Sequence, residues 1–532
     1  MGILILSVVG CLYLGFITNW FHYDGIRWSL RVESTDLRHV FDSHHLLSSF
    51  LAPTSYRFAR FLGYEGRALH FLPVMNSIIG ILGLAAFYFL ALRVTRDKIA
   101  SVVTTLGLGF SYGYWFASVS ALADIVTFVS LVVGFHVVLR FIDNDSMGSW
   151  VSLGLLGGFL WFVEVGAFLF FPAIFLAVYF HAREFSLDAR KLATCGIACL
   201  GIGVIPYVVI GIYVNEASSI EQIVLLVTRG CEPWGEEQIW WDFHLGNIPK
   251  FLCSVFRAFV GVSFIKELFL SDFGFSDLFI LGCLTLFVLV AFLVAIYGLS
   301  SFKDIRNDYG RPAALSILYV LSCAVFFTVH GAGGTRLPPR IVPFIWLLFA
   351  ATIAVLKGRS KGSVKKWLLP ASFSMPALLL CTNFFGSILP QSFAENNENL
   401  QYSNFIGDNT NKTDLVLFSG RGGLSDGVLL AYFSGNQTLS FAEALRAPTI
   451  LDSRIKKAVE SGAQVYFVSD EKSASFQTVI GLLGLPVGKH DSFSGGRIQA
   501  FFSDHGYELS AAFQFDDKHF KDGVIYRVSS RS

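Results

Sequence analysis

The chain has 532 residues, 54% of them hydrophobic and only 15% charged, with 54 phenylalanines and a formal net charge of +1. Mean hydropathy is +0.58, the profile of a polytopic membrane protein and not of a soluble enzyme. The near-neutral balance removes any electrostatic case for nucleic acid.

A bilayer core needs about twenty apolar residues per helix. Runs of that kind fall near 3–20, 71–92, 99–117, 122–140, 150–163, 165–181, 192–214, 278–299, 313–329, 341–356 and 367–389, which predicts about eleven spans. The first run lacks a basic leader and a small-residue cleavage site, so it reads as a retained span and not a signal peptide. The eight cysteines lie mostly in these runs and show no CxxC or zinc spacing, so they read as apolar filler.

Between the first two spans lies the most polar stretch of the N-terminal third, FHYDGIRWSLRVESTDLRHVFDSHHLL at 21–47. A connection of this length is functional or disordered, and its aromatic and leucine content argues against disorder. It is expected to fold on the membrane surface, with Asp24 just past the end of a span. Phe251–Leu270 is long enough to span but carries Arg257, Lys266 and Glu267. It reads as an interfacial or re-entrant helix.

Basic residues in short loops set the orientation. Arg93, Arg96 and Lys98, the group Lys303, Arg306 and Arg311, and the run Lys357, Arg359, Lys361, Lys365 and Lys366 place those loops inside. Loops 21–70, 215–250 and 330–340, and everything after Leu389, then lie outside. Loop 21–70 carries arginines of its own and fits this rule poorly. After Pro390 the composition turns soluble, giving an expected boundary between a membrane domain, 1–392, and a periplasmic or lumenal domain, 393–532. Asp414–Ser419, Gln464–Ser469 and Gly523–Val528 read as strands, and Ser453–Ser461 and Ser475–Leu483 as helices. That alternation suggests a small α/β domain with a largely parallel sheet. Gly420–Gly423 (GRGG) follows a strand; a plain turn is the simpler reading, a phosphate loop the sharper one.

Ionisable groups at span ends are expensive near lipid unless they face a cavity or a partner. On the outer side these are Asp24, His44, His45, Asp124, Glu164, His330, Arg336 and Arg340. Each has a plain alternative. Asp124 could cap its helix, Glu164 a turn, and the histidines could be interfacial. The arginines could anchor to lipid phosphates, and Trp234, Trp240 and Trp241 could sit at the interface or stack on a sugar.

The order of a span, YDG, FDSHHLL some twenty residues later, a span, WFASVSALADI and then LWFVEVGAFLFFP resembles the C-type superfamily of membrane glycosyltransferases. It most resembles bacterial relatives of protein O-mannosyltransferases and aminoarabinose transferase. The likeness covers roughly 1–180, and 310–345 loosely, and does not reach 395–532. It implies a catalytic base in the first outer loop, matching Asp24, and a second acid, matching Asp124. It also implies a late basic residue on the lipid phosphate, matching Arg336 or Arg340. Many relatives carry two adjacent acids in the first loop where this chain has Asp24–Gly25, which leaves Asp36 or Asp42 open as the base. His44, His45 and Glu164 fall among the expected substrate-binding groups.

The implied activity is inverting transfer of a sugar from a polyprenyl-phosphate donor to a hydroxyl of a protein, lipid or glycan. It would take place at the outer face of a bacterial inner membrane. No cofactor is indicated, and a divalent metal ion is left open. A secondary transporter would show internal repeats and midplane charges; neither is evident. An inactive scaffold with a binding tail would have lost the acids, which are present.

Overall fold

The computed structural model describes residues 2–19, 21, 23–34, 41, 45–185, 187–214, 217, 219–222, 247–261, 275–300, 302–329, 338–359, 363–418, 428–440, 448–468, 495–515 and 524–530. The chain divides into two compact units. One comprises Met1–Ile17, Arg31–Phe264 and Phe273–Leu389; the other comprises Thr18–Leu30, Ile265–Asp272 and Pro390–Ser532.

The first unit is helical. In chain order its helices are α1 (Gly2–Gly15), α2 (Tyr23–Glu33, begun in the other unit), α3 (Leu46–Phe61), α4 (Ala68–Thr95), α5 (Lys98–Phe110), α6 (Tyr112–Val119), α7 (Asp124–Ile142) and α8 (Met147–Val163). A 3-10 turn, Val165–Phe170, leads into α9 (Phe171–Glu184), followed by α10 (Ala189–Tyr213), α11 (Asn247–Phe259), α12 (Phe275–Ser300) and α13 (Phe302–Val329). After a second 3-10 turn, Pro338–Ile341, come α14 (Val342–Arg359) and α15 (Ser363–Asn383).

Among the described residues six helical stretches are long and apolar enough to cross a membrane, and five shorter apolar helices occupy the remaining expected positions. The chain is thus a multi-pass membrane protein. The long first loop does fold, as the helices α2 and α3. Helix α11 has 13 residues, about 20 Å at 1.5 Å per residue. The rest of the stretch read as re-entrant, 262–274, lies outside the described residues.

One expected span is not continuous. The run at 99–117 breaks at Ser111, which is extended (φ −67°, ψ 128°) between α5 and α6. A break leaves backbone groups without helical partners, tolerated in apolar surroundings only where other groups satisfy them. Asn383, fully buried, serves one carbonyl at this break and two groups at the end of α11. Its Nδ2 donates to the carbonyls of Phe110 and Phe259, both at 2.7 Å, and its Oδ1 accepts from Gly261 N at 2.8 Å. Trp346 Nε1 donates to Ser111 Oγ at 2.9 Å, and its ring lies so close to Gly107 that a Cβ there would collide with it. Directly after Asn383 the helix widens into a π turn at Phe384–Ile388. Helix α13 is kinked at Tyr309 (φ −130°, ψ 22°); Pro312 explains it, since proline lacks the N–H and crowds the preceding turn.

The second unit carries a five-stranded sheet in the order β2-β1-β3-β5-β4. The strands are β1 (Leu415–Phe418), β2 (Gln437–Ser440), β3 (Val465–Val468), β4 (Tyr507–Gln514) and β5 (Val524–Ser530). Strand β1 pairs in parallel with β2 and β3, while β5 runs antiparallel to both β3 and β4. The sheet is therefore mixed, which corrects the largely parallel expectation: the C-terminal strands form a hairpin-like pair on one edge. The helix Pro448–Glu460 packs Leu451 and Ile455 against Leu417, Val465, Phe467 and Val528. Leu415–Phe418 and Val465–Val468 are buried at every position, as central strands covered on both faces must be. Gly420–Gly423 and Ser475–Leu483 lie outside the described residues. Thr18–Leu30 joins this unit through Asn19, whose Nδ2 donates to Ser392 O at 2.5 Å and whose carbonyl accepts from Asn397 Nδ2 at 2.9 Å.

Because the sheet encloses its own apolar cluster, residues 393–532 expressed alone should give a mixed α/β circular dichroism spectrum and a cooperative melt. A random-coil spectrum would show that the core needs the preceding chain.

Candidate active site

Three of the charged groups singled out at span ends meet inside the first unit. Asp124 is the first residue of α7; Ala123, not Asp124, occupies the N-cap, and no side chain caps this helix. Glu164 ends α8 in an extended conformation (φ −164°, ψ 135°), before the 3-10 turn. Arg340 lies in the short turn Pro338–Ile341 ahead of α14. All three are buried, at 7%, 7% and 3% exposure. Charges this deep persist only when paired.

The guanidinium supplies the pairing. Arg340 Nη2 donates to Glu164 Oε1 at 2.5 Å and stands 3.6 Å from Asp124 Oδ1. The second oxygen of Glu164 accepts from Thr127 Oγ1 at 2.7 Å, one turn along α7 from Asp124. Burial works against the charged carboxylate of Glu164, but Arg340, His45 and Thr127 outweigh it and hold its pKa below the ordinary glutamate value. Arg340 is likewise opposed by burial and raised by Glu164 and Asp124. Neither acid therefore behaves as the simple helix-turn cap that its sequence position allowed.

His45 precedes α3 and brings Nδ1 to 4.0 Å from Glu164 Oε2. That nitrogen has no hydrogen-bond partner among the described residues, and nor do Asp124 Oδ1, Arg340 Nε and Arg340 Nη1. Only one nitrogen of the guanidinium is thus committed to carboxylates. The cluster has two acids to one permanent cation. Among the described residues no group of three His, Cys, Asp or Glu could hold a metal ion.

Asp24 lies in the first turn of α2, in the second unit, partly exposed. A carboxylate there is favoured by the helix dipole. His44, Arg336, Asp36, Asp42, His330 and the tryptophans Trp234, Trp240 and Trp241 lie outside the described residues. Two groups were missed from the sequence. Arg257 on α11, a helix packed against the Pro338–Ile341 turn, has a buried Nε with no partner among the described residues. Its charge in an apolar run is legible in the sequence, but nothing local to that run shows what the side chain faces. Asn76, buried at 2% within α4, was hidden among apolar neighbours.

No family model matches the chain, and no curated protein matches its sequence significantly. Solved structures do match its fold. The structure of ArnT from Cupriavidus metallidurans in the apo state superposes with a TM-score of 0.59 at 12% identity, over 99% of this chain and 97% of that one. The chain shares the fold of ArnT. The same protein bound to undecaprenyl phosphate gives a TM-score of 0.57 at 11% identity, again over 99% and 97% of the two chains. The likeness to ArnT thus extends past residue 395, where the resemblance in sequence stops.

Proposed function

We propose that the chain is an integral-membrane glycosyltransferase that moves a sugar from a polyprenyl-phosphate donor to an acceptor hydroxyl. One observation carries this reading: a buried guanidinium, Arg340, with Nε and Nη1 unclaimed among the described residues. A guanidinium is a planar, permanently charged donor suited to phosphate oxygens. The donor phosphate would accept from Nη1, whose two N–H groups are unclaimed among the described residues, while Nη2 stays on the acids. The ArnT structure solved with undecaprenyl phosphate supports a lipid phosphate as ligand for this fold.

The chemistry then needs few parts. A phosphate leaves without an acid, so one base suffices to take the proton of the attacking hydroxyl. Asp24 fills that role by its place in the first outer loop. Charge builds on the leaving phosphate, and Arg340, with Arg336, His44 and His45, stabilises it more strongly in a water-poor site than in bulk. The anomeric carbon passes through an oxocarbenium-like state that the carboxylates of Asp124 and Glu164 favour. With one base and in-line attack the anomeric configuration inverts. The isoprenoid tail of the donor stays in lipid, which accounts for a membrane-embedded enzyme; the acceptor is a protein, lipid or glycan.

The basic run at 357–366 favours a cytoplasmic α14–α15 loop, with the site and the C-terminal domain on the periplasmic side of a bacterial inner membrane. In a cysteine-free background an impermeant thiol reagent should label a cysteine placed at Ser469 and miss one at Ser363. The reverse pattern would invert the whole orientation.

Binding tests the donor reading directly. Polyprenyl phosphate titrated into the purified protein in detergent should bind saturably, and at least about tenfold more weakly after Arg340→Lys, whose single ammonium keeps the charge but cannot serve acids and phosphate from separate nitrogens. Equal binding by both proteins would remove Arg340 from the donor site.

A further inference from the structure

Asn76 sits about two turns into α4, a helix long and apolar enough to span a membrane. A carboxamide there is costly unless it is fully bonded. Its Nδ2 donates to Ser120 O at 2.7 Å and to Leu122 O at 2.6 Å. Both carbonyls belong to Ser120–Ala123, the turn between α6 and α7. Carbonyls at the end of α6 have no helical partner of their own, and one amide satisfies two groups in that turn. The neighbouring Ser77 Oγ lies 3.0 Å from Ser118 O at the end of α6 and 2.9 Å from Pro73 O in its own helix, with one proton between the two carbonyls.

The turn held in this way delivers Asp124. Leu122 is two residues before Asp124, and α7 begins at Asp124 itself. A shift of the Leu122 carbonyl therefore carries the first residue of α7 with it. Asp124 Oδ1 stands at 3.6 Å from Arg340 Nη2, beyond hydrogen-bond distance and with no hydrogen-bond partner among the described residues, so its placement falls to the backbone of the turn that carries it.

We propose that Asn76 is a positioning residue for the acid–guanidinium cluster: its amide fixes the α6–α7 turn and thereby sets the Asp124 carboxylate against Arg340. The catalytic consequence rests on the reading that Asp124 assists sugar transfer; the positional claim rests on the geometry alone.

A misplacement of about 1 Å in a catalytic group can cost on the order of 10²-fold in rate. Asn76→Leu, which removes both donors, should therefore lower kcat by about 10–100-fold while changing KM for the polyprenyl-phosphate sugar by less than about threefold. In an Asp124→Asn background the same substitution should cost almost nothing more, because the group that it positions is already gone. A purely structural asparagine would give the full loss in both backgrounds, and that additivity would overturn the proposal, as would a wild-type kcat in Asn76→Leu.

A second readout does not depend on activity. The infrared difference between wild type and Asp124→Asn isolates the Asp124 carboxylate stretch, and Asn76→Leu should shift that band. An unmoved band would overturn the proposal even if turnover fell. Should Asn76→Leu not yield folded protein, Asn76→Gln keeps two donors one methylene further out, and the same band shift is required of it. If Asp124→Asn turns over normally, the catalytic role of Asp124 fails, while the infrared band still decides whether Asn76 positions it.

Discussion

Asp24→Asn should lower turnover by about 10²–10⁴, the usual worth of general-base help, with donor binding changed far less. Asparagine keeps the shape and most hydrogen bonding of the side chain, so the fold should survive. Asp24 lies in the first turn of α2, where a carboxylate is tolerated and its neutral amide costs only a few tenths to about 1 kcal/mol of helix stability. That contribution is far too small to mimic a loss of 10²-fold or more. Unchanged turnover in Asp24→Asn, with inactive Asp36→Asn or Asp42→Asn, would move the base along the same loop. Normal turnover in all three would take the loop out of the mechanism.

Arg340→Ala should show the largest loss of stability of any single change in the site. It strands Asp124 and Glu164 in a buried setting where, among the described residues, Thr127 Oγ1 remains on Glu164 Oε2 with His45 Nδ1 4.0 Å from the same oxygen. Removing one partner of a buried pair typically costs about 3–5 kcal/mol, because the remaining charge is left uncompensated. The melting temperature in detergent should fall accordingly, and Glu164→Gln added to Arg340→Ala should restore part of it by removing one stranded charge. A melting temperature for Arg340→Ala within a degree of wild type would mean that other groups balance the acids. Donor binding should weaken in parallel, through the lost phosphate contact.

The membrane core was legible because hydrophobic run length is set by the thickness of the bilayer and needs no tertiary information. The break at Ser111 was not legible. A serine in an apolar run is compatible with a continuous span, and the groups that stabilise the break, Trp346 and Asn383, lie 235 and 272 residues further along the chain. Strands β2 and β4 were missed for a related reason. Gln437–Ser440 is short and half polar, and Tyr507–Gln514 alternates weakly at the edge of the sheet, so neither gives the dense apolar signal of β1 and β3. The mixed character of the sheet lies on that side, where β5 runs antiparallel to both β3 and β4.

The meeting of Asp124, Glu164 and Arg340 was foreshadowed by charge placement at span ends, where an ionisable group needs a partner. Which groups pair was not, because the helices α7 and α8 and the Pro338–Ile341 turn come together only on folding. Asn76 illustrates the limit best. Its sequence neighbours mark it as filler of an apolar helix, and its two partners sit 44 and 46 residues away in the turn before α7.

The most direct test of the transfer reading follows release of polyprenyl phosphate from a panel of polyprenyl-phosphate sugars by the purified full-length chain, with protein, lipid and glycan acceptors supplied in turn. At least one donor–acceptor pair should release polyprenyl phosphate and sugar-modified acceptor in equal amounts, with the anomeric configuration inverted, and Asp24→Asn should abolish nearly all of it. Release at the same rate by wild type and Asp24→Asn, or no acceptor-dependent release from any donor by protein that binds polyprenyl phosphate, would contradict the account.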